Sequence, residues 1–258
     1  MHKSGKGDDL RYKDRTIKST SQLLSALKQQ RASTNVSWFR GQAKKSWKLV
    51  PSLARNKNHL KAENALIKRF KQDAIPHLSA DLREEWEWMF LMQHHRAFTR
   101  LLDWSESPLA ALYFAVNDDK HIKSDGAVWC LDPVALNKEA RIKFEFESEI
   151  PAFGHDKALE SYLPSRLPGG GSSDLYPIAI VGPRNTPRMA AQLGTFTVNH
   201  IEHTPIEEIG DAKHIWKWVI PAGAKSEIAK ELGYFAISRL TLFPELDSVA
   251  DASKELLP

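Results

Sequence analysis

The chain has 258 residues, a formal net charge of +4 and a single cysteine, Cys130. Its hydrophobic fraction of 42% is enough for a sizeable core and argues against a disordered protein, while a single cysteine excludes an intramolecular disulfide. The polar N-terminus has no signal-peptide core, and no apolar run approaches the roughly 18 residues of a membrane span. The sequence therefore predicts a cytoplasmic protein that does not enter a membrane.

The charges are distributed unevenly along the chain. Residues 1–75 contain 18 Lys or Arg against 5 Asp or Glu, a balance of +13, whereas residues 76–258 have a balance of −9. A basic segment of this size is a plausible contact surface for nucleic acid or a nucleotide. The alternative is that the two parts neutralise each other across the folded surface.

The first half of the chain is predicted to be mostly helical. Residues 1–18 are polar and without periodicity, which is typical of a flexible basic lead-in. A strand is expected over Val36–Arg40, ended by Gly41, and Thr99–Ser105 is expected to be a polar loop. Capping residues and apolar spacing predict helices over residues 21–30, 61–75, 82–94 (capped by Asp81) and 108–116 (capped by Ser107).

The second half is predicted to be rich in strands. The expected strands cover residues 126–131, 142–146, 175–181, 194–198 and 215–221. The sequence LPGGGSS at residues 167–173 indicates a flexible loop. A last helix is expected over Ala224–Leu232, with Gly233 just beyond its end. Helices early and strands late predict an α+β fold, a helix-rich N-terminal half packed on a strand-rich C-terminal half, in one domain over residues 19–258.

The densest cluster of polar residues precedes an apolar helix. Gln93–Val116 reads QHHRAFTRLLDWSESPLAALYFAV, with two histidines, a Thr-Arg pair and an Asp-Trp pair in front of the apolar stretch. Burying such groups without hydrogen-bond partners costs roughly 1–3 kcal/mol each. The segment therefore indicates either a functional site or a polar network beneath the helix.

Single residues add candidates for this site. Arg40 can hold a phosphate or carboxylate through two hydrogen bonds, and the adjacent Gly41 lets a ligand approach the backbone. His94 and His95 point about 100° apart on a helix, so only one can face a small site. His94 is the favoured candidate, with a purely structural histidine as the alternative. Arg100 and Asp103 either pair with each other or orient a ligand.

Several motifs resemble the FRG domain family, a bacterial and phage group. The motifs are WFRGQ at 38–42, W-x-L-x-P-S-L-x-R at 47–55, Gln93–His94, TRLLDWS-x-SP-x-x-ALYFAV at 99–116 and W-x-LDP-x-x-LN at 129–137. They cover most of residues 37–137, and RMAAQLGTFT and TLFPELD extend the resemblance toward the C-terminus. The family pattern usually has Gly and Pro near the positions of Arg96 and Phe98, so the backbone here is expected to differ.

A weaker, motif-level resemblance relates the chain to mono-ADP-ribosyltransferases. This resemblance implies that NAD is a substrate. It implies that Arg40, Gly41 and Gln42 bind NAD, together with Thr99, Arg100, Asp103 and Ser105. His94 or His95 would contact ribose, and Glu245 or Asp247 would stabilise the transition state. Gln192 stands where many such enzymes have a glutamate, so the carboxylate must come from elsewhere.

Two functions from different classes remain open. The first is ADP-ribosyl transfer from NAD to a protein or nucleic acid, in a bacterial or phage defence or toxin system. The second is a module that binds a nucleotide or nucleic acid without turnover. No carboxylate at helical spacing completes a zinc site with the histidines, and no cluster of acidic residues with a lysine predicts a two-metal nuclease.

Overall fold

A mixed sheet runs through the protein. The computed structural model describes residues 15–29, 36–78, 81–143, 148–167, 175–201 and 204–254. The strands are β1 (Arg15–Thr16), β2 (Trp38–Gln42), β3 (Leu101–Ser105), β4 (Gly126–Leu131), β5 (Ile178–Ile180), β6 (Gly194–Val198) and β7 (Ile215–Ile220). Their order is β1-β7-β4-β2-β3-β6-β5. Only β1 and β7 are parallel; the other neighbouring pairs are antiparallel.

Helices accompany this sheet along the described chain. They are α1 (Thr20–Gln29), α2 (Lys57–Lys61), α3 (Glu63–Ala74), α4 (Glu85–His94), α5 (Pro108–Val116), α6 (Pro133–Glu139), α7 (Pro187–Ala191), α8 (Lys225–Tyr234), α9 (Arg239–Leu242) and α10 (Leu246–Lys254). The predicted α+β class is confirmed. The sheet takes four strands from residues 15–131 and three from residues 178–220, so both halves contribute to one layer.

Most of the predicted elements are present. The helix expected after Ser107 is confirmed as α5. Ser107 is its N-cap residue, because the Ser107 hydroxyl accepts a hydrogen bond from the amide of Ala110. The strands predicted at residues 126–131, 194–198 and 215–221 are confirmed with bounds within one residue. The strand predicted at residues 175–181 is shorter, at Ile178–Ile180.

Other expectations are corrected by the structure. The predicted polar loop at residues 99–105 contains β3, because Leu102 and Trp104 pack into one apolar cluster and Leu101 packs into another. Glu84, rather than Asp81, caps α4 through a capping box with Glu87. Gly41 lies inside β2 and Gly233 lies inside α8, although both were expected to lie just beyond an element. The strand β1 and the helix α10 were not expected.

Parts of three predictions lie outside the described residues. These are residues 1–14 of the lead-in, residues 144–147 of the strand expected at 142–146, and residues 168–173 of the glycine-rich loop. Ile142 and Lys143, which are described, are not in a strand.

Apolar side chains cover both faces of the sheet. On one face, residues of α1, α5 and α8 pack with Phe39, Val128 and Cys130. On the other face, Trp38, Trp129 and neighbouring residues form a second buried cluster. Cys130 is buried in this core, and burial raises the pKa of its thiol to about 12.

The packing of α5 on β2 depends on the absence of a side chain at Gly41. A Cβ atom at this position would lie 1.7 Å from the carbonyl oxygen of Ala111 and 2.8 Å from the amide nitrogen of Ala115. Gly41 was predicted to leave room for a ligand. The backbone of α5 fills the space where a side chain at this position would lie, and Gly41 also borders the cavity described below.

Among neighbouring strands of the sheet, β2 and β3 have the fewest paired residues. Five residue pairs join β2 to β4, from Trp38–Leu131 to Gln42–Ala127. Between β2 and β3 the ladder has one pair, Phe39–Ser105. Beyond this pair, the Nη1 atom of Arg40 reaches across and donates a hydrogen bond to the main-chain oxygen of Asp103 at 2.5 Å. The sheet is therefore split at this position, and a side chain replaces part of the ladder.

Candidate functional site

A cavity of about 870 Å³ lies at the split between β2 and β3. Its walls come from both strands, from the segment 43–55, from the C-terminal end of α4, from α5 and from α7 with Gln192. The volume falls in the usual range for small-molecule sites, about 300–1,000 Å³. Because each wall comes from a different part of the chain, the fold brings residues together here that are far apart in sequence.

Asp103 lies on the β3 side of this cavity. It is the one exposed residue of β3, and its exposed surface faces the cavity while protein atoms surround it elsewhere. The Nε2 atom of Gln93 donates to its Oδ2 atom at 2.7 Å. Burial raises the pKa of the Asp103 carboxyl, while Arg40 and the hydrogen bond from Gln93 oppose that shift.

Thr99 fixes the orientation of Gln93. Its hydroxyl donates to the Oε1 atom of Gln93, so the amide nitrogen of Gln93 must point toward Asp103. Thr99 is buried and does not line the cavity. It was predicted to contact NAD. The structure instead places Thr99 behind Gln93, which lines the cavity.

Arg40 lies opposite Asp103 on the β2 side. Its Nε atom is buried and has no hydrogen-bond partner among the described residues. Burial lowers the pKa of the guanidinium, and the charge of Asp103 raises it. A guanidinium with an unused donor at a cavity wall is suited to an anionic group.

His94 and Arg188 form another part of the wall. Burial, the neighbouring His95 and Arg188 lower the pKa of His94, and Glu245 raises it. The Nδ1 atom of His94 is buried and has no partner within the described chain. Its lowered pKa favours a neutral imidazole at neutral pH, which can accept or donate a hydrogen bond.

Glu245 lies next to this wall without lining it. Its Oε1 atom is 4.0 Å from Nη1 of Arg188, and its side chain is 46% exposed. The guanidinium of Arg188 also stacks over the ring of Phe243, at 4.7 Å from the centroid. Glu245 therefore reaches the cavity only through Arg188. Asp247, the other predicted carboxylate, lies in the first turn of α10 and does not line the cavity.

Ser105 and Gln192 meet at the end of β3. The hydroxyl of Ser105 donates to the main-chain oxygen of Gln192 at 2.6 Å, and both residues line the cavity. The side-chain amide of Gln192 donates to the carbonyl of Leu242 at 2.9 Å. These contacts attach the start of β6 and the helix α9 to the cavity wall.

Gln42 lines the cavity but is already engaged. Its Oε1 atom accepts from the indole of Trp129 at 2.8 Å, and its Nε2 atom donates to the carbonyl of Lys48 at 3.4 Å. This predicted NAD ligand therefore holds the segment after β2 in place.

Arg100 is a structural residue. It is fully buried and its Nε atom pairs with Glu63 at 2.8 Å, while its two terminal nitrogens donate to the carbonyls of Asn199 and Tyr162. The expectation that Arg100 either pairs with Asp103 or contacts a ligand is corrected, because all of its donors face the interior.

The cavity carries more positive than negative charge. Of the described residues that line it, four are cationic and two are anionic: Arg40, Lys48, Arg55 and Arg188 against Asp103 and Asp118. Lys48 is paired with Glu208 at 2.6 Å, and Asp118 lies 3.1 Å from His121. Three arginines therefore face the cavity, opposed mainly by Asp103.

Sequence reasoning assigned no role to two of these arginines or to Gln93. Arg55 ends the W-x-L-x-P-S-L-x-R motif, Arg188 begins RMAAQLGTFT, and Gln93 begins the Gln-His motif. All three were visible as motif residues. The signal that could have found them was that each motif contains one residue able to bind an anion or orient a carboxylate.

The basic segment is partly neutralised where it is described. Lys45 pairs with Asp125 at 3.1 Å and Lys48 with Glu208. Within the described residues, no group of three or more His, Cys, Asp or Glu side chains is arranged to hold a metal ion. Nor does any helix in the described part of the chain have the length and apolar character needed to cross a membrane.

These features define a mixed α+β protein with a cationic cavity at a split in its sheet. Residues 35–124, which include β2 to α5, match the family model of the FRG domain. The match supports the resemblance to the FRG domain family over this part of the chain. No curated protein and no solved structure matches the chain.

Proposed function

We propose that the cavity binds a nucleotide through its phosphates, and that the chain transfers ADP-ribose from NAD to a protein or nucleic-acid target. The observation that carries this proposal is the convergence of Arg40, Arg55 and Arg188 on one cavity. Arginine binds phosphate oxygens in a planar, two-pronged geometry, and a pyrophosphate offers several such oxygens.

The arrangement of the motif residues supports NAD as the nucleotide. The resemblance to mono-ADP-ribosyltransferases picks out an arginine on one strand, a hydroxyl on a second strand and a residue before a third strand. In this chain Arg40, Ser105 and Gln192 occupy those positions, and all three line the cavity. Ser105 and Gln192 are in direct hydrogen-bond contact. The pairing of Ser105 with Gly194 brings Gln192 next to Ser105, and both then face the cavity that Arg40 lines.

A binding module without turnover is the second candidate. Gln192 is an amide that donates to the carbonyl of Leu242, and it carries no negative charge to balance a developing positive charge. Glu245 is half-exposed and lies beside Arg188. This arrangement favours recognition of an anionic ligand over catalysis, unless another carboxylate in the cavity takes part.

The proposal is tested first by NAD binding. Calorimetric titration of the purified chain with NAD is expected to give saturable binding. Arg40→Ala and Arg188→Ala each remove a charged hydrogen-bond donor worth about 1.5–3 kcal/mol, so each should weaken binding roughly 10- to 150-fold. Arg69→Ala is the matched control, because Arg69 is exposed on α3 and pairs only with Asp73.

Turnover is tested in the same samples. NAD labelled on its adenylate phosphate is incubated with the chain and a bacterial lysate, and labelled protein or nucleic acid is isolated. Label that disappears in Arg40→Ala and Arg188→Ala supports transfer. Binding without label supports the module, and absence of binding in a folded wild type rejects the nucleotide proposal. The defence or toxin context and the cytoplasmic location remain predictions from the sequence.

A further inference from the structure

We propose that Asp103 is the catalytic carboxylate of this cavity, which accepts the proton of the acceptor nucleophile as ADP-ribose is transferred. The proposal rests on the proposed function. It replaces Glu245 and Asp247, the two carboxylates expected from the sequence, by a residue on the strand that forms the cavity wall.

The position of Asp103 on β3 is the first argument. Its neighbours Leu102 and Trp104 are buried in an apolar cluster, and Trp104 also borders the cavity. Alternation along the strand places the Asp103 carboxylate on the face opposite to that cluster. Asp103 is the one residue of β3 that is exposed, and this exposure is to the cavity.

The orientation of the carboxylate is the second argument. Gln93 donates to Oδ2, and Thr99 holds the amide of Gln93 in that orientation. The main-chain oxygen of the same residue accepts from Arg40. Both the backbone and one carboxylate oxygen are thus fixed. Fixed groups of this kind reduce the reorganisation needed during a reaction.

The other carboxylates near the cavity are engaged elsewhere. Asp118 accepts from the amide of Lys120 and lies beside His121. Glu245 faces Arg188 and is half-exposed. Among the described residues, no Lys, Arg or His nitrogen lies within 4.0 Å of the Asp103 carboxylate. The carboxylate is therefore available to a ligand.

The chemistry is balanced without a further reagent. The bond between ribose C1 of NAD and the nicotinamide nitrogen breaks, and its electron pair leaves with neutral nicotinamide. A lone pair of the acceptor nucleophile forms the new bond to C1. The proton of the nucleophile passes to the Asp103 carboxylate, which before that step faces the positive charge that develops on the ribose. Burial raises the pKa of Asp103, which makes it a stronger proton acceptor than an exposed aspartate.

The test compares Asp103→Asn with the wild type and with Glu106→Gln. Glu106 is the exposed carboxylate that pairs with Arg184 next to β3, so it controls for the loss of one negative charge. Two quantities are measured for each protein: the dissociation constant for NAD by calorimetry, and the rate of nicotinamide release with saturating NAD and acceptor. Circular dichroism establishes that each variant is folded.

The expected result is a loss of roughly 100-fold or more in nicotinamide release for Asp103→Asn, with NAD binding changed by less than about fivefold. Glu106→Gln should match the wild type. Equal release rates for Asp103→Asn and wild type would overturn the role of Asp103 and leave the proposed function intact. A wild type that binds NAD without releasing nicotinamide, or does not bind it, would overturn both.

Discussion

At the scale of single residues, Gln93 is one of the groups that lower the proton affinity of Asp103. Its hydrogen bond favours the ionised carboxylate and so lowers the pKa of Asp103, against the larger effect of burial. Gln93 does not need to touch the substrate to act in this way. We regard it as a positioning residue, with Thr99 as its support.

Replacing Gln93 by Leu should therefore move the acidic limb of the pH profile of nicotinamide release to a higher pH. Without the hydrogen bond the pKa of Asp103 rises, so the carboxylate that accepts the proton is lost at a higher pH than in the wild type. The rate of nicotinamide release is measured from pH 4 to 8 for both proteins. A purely structural role of Gln93 would lower the rate equally at all pH values and leave the limb in place.

Arg96 shows how one position departs from the family pattern. Its backbone has φ of +62°, a left-handed conformation in which glycine is favoured and most other residues are strained. The family pattern usually has glycine near this position. Here an arginine adopts this left-handed conformation. Burial lowers the pKa of Arg188, and the charge of Arg96 lowers it further.

At the scale of secondary-structure elements, the contact between α5 and β2 is the most sensitive one. Gly41→Ala would place a methyl group against the backbone of α5, which cannot move as a flexible side chain would. Such overpacking costs typically about 1–3 kcal/mol, and a clash with backbone lies at the upper end of this range.

The free energy of unfolding of Gly41→Ala is therefore expected to fall by about 3 kcal/mol, measured by urea denaturation. Gly223→Ala is the matched control, because a Cβ at Gly223 meets nothing within 4 Å. Equal losses in the two variants would show that the approach of α5 to β2 is not the cause.

The elements that could be predicted from the sequence are those with strong local signals. Ser107 followed by Pro108 fixes the start of α5, and the apolar run Gly126–Leu131 has no polar interruption. The strand β3 was not predicted, because the polar residues Thr99, Arg100, Asp103 and Ser105 are also typical of a loop. Their hydrogen-bond partners, Gln93 and the carbonyl of Gln192, lie in other elements and are known only once the chain is folded.

The candidate site was predictable to a similar extent. Arg40, His94, Ser105 and Gln192 were named from motifs and all line one cavity. Arg100 was named for the same reason, yet it pairs with Glu63 in the interior. A motif identifies residues that matter together, but the direction of each side chain depends on strand alternation and on distant partners.

At the scale of the whole molecule, Asp103 affects stability as well as chemistry. Its pKa is raised in the folded state, so ionisation is less favourable there than in the unfolded chain. Below the unfolded-state pKa of about 3.9 the proton is bound in both states and no penalty exists. As pH rises from this value through the folded-state pKa, the penalty develops and the folded protein loses stability.

Asp103→Asn is therefore expected to be more stable than the wild type at pH 7, with the difference shrinking toward pH 4. Urea denaturation at several pH values measures the free energy of unfolding of both proteins. A variant that is less stable at pH 7 would show that attraction to Arg40 and Arg188 outweighs the burial of the carboxylate.

Because of the split in the sheet, Arg40 both connects β2 to β3 and faces the cavity. The strands on either side of the split share one backbone pair, and the guanidinium of Arg40 supplies a further bond between them. When a phosphate binds the remaining nitrogens of the same guanidinium, the bond between the strands and the bond to the ligand depend on one side chain. Occupancy of the cavity and the separation of β2 from β3 are then coupled, and amide hydrogen exchange along these two strands would report ligand binding from within the backbone itself.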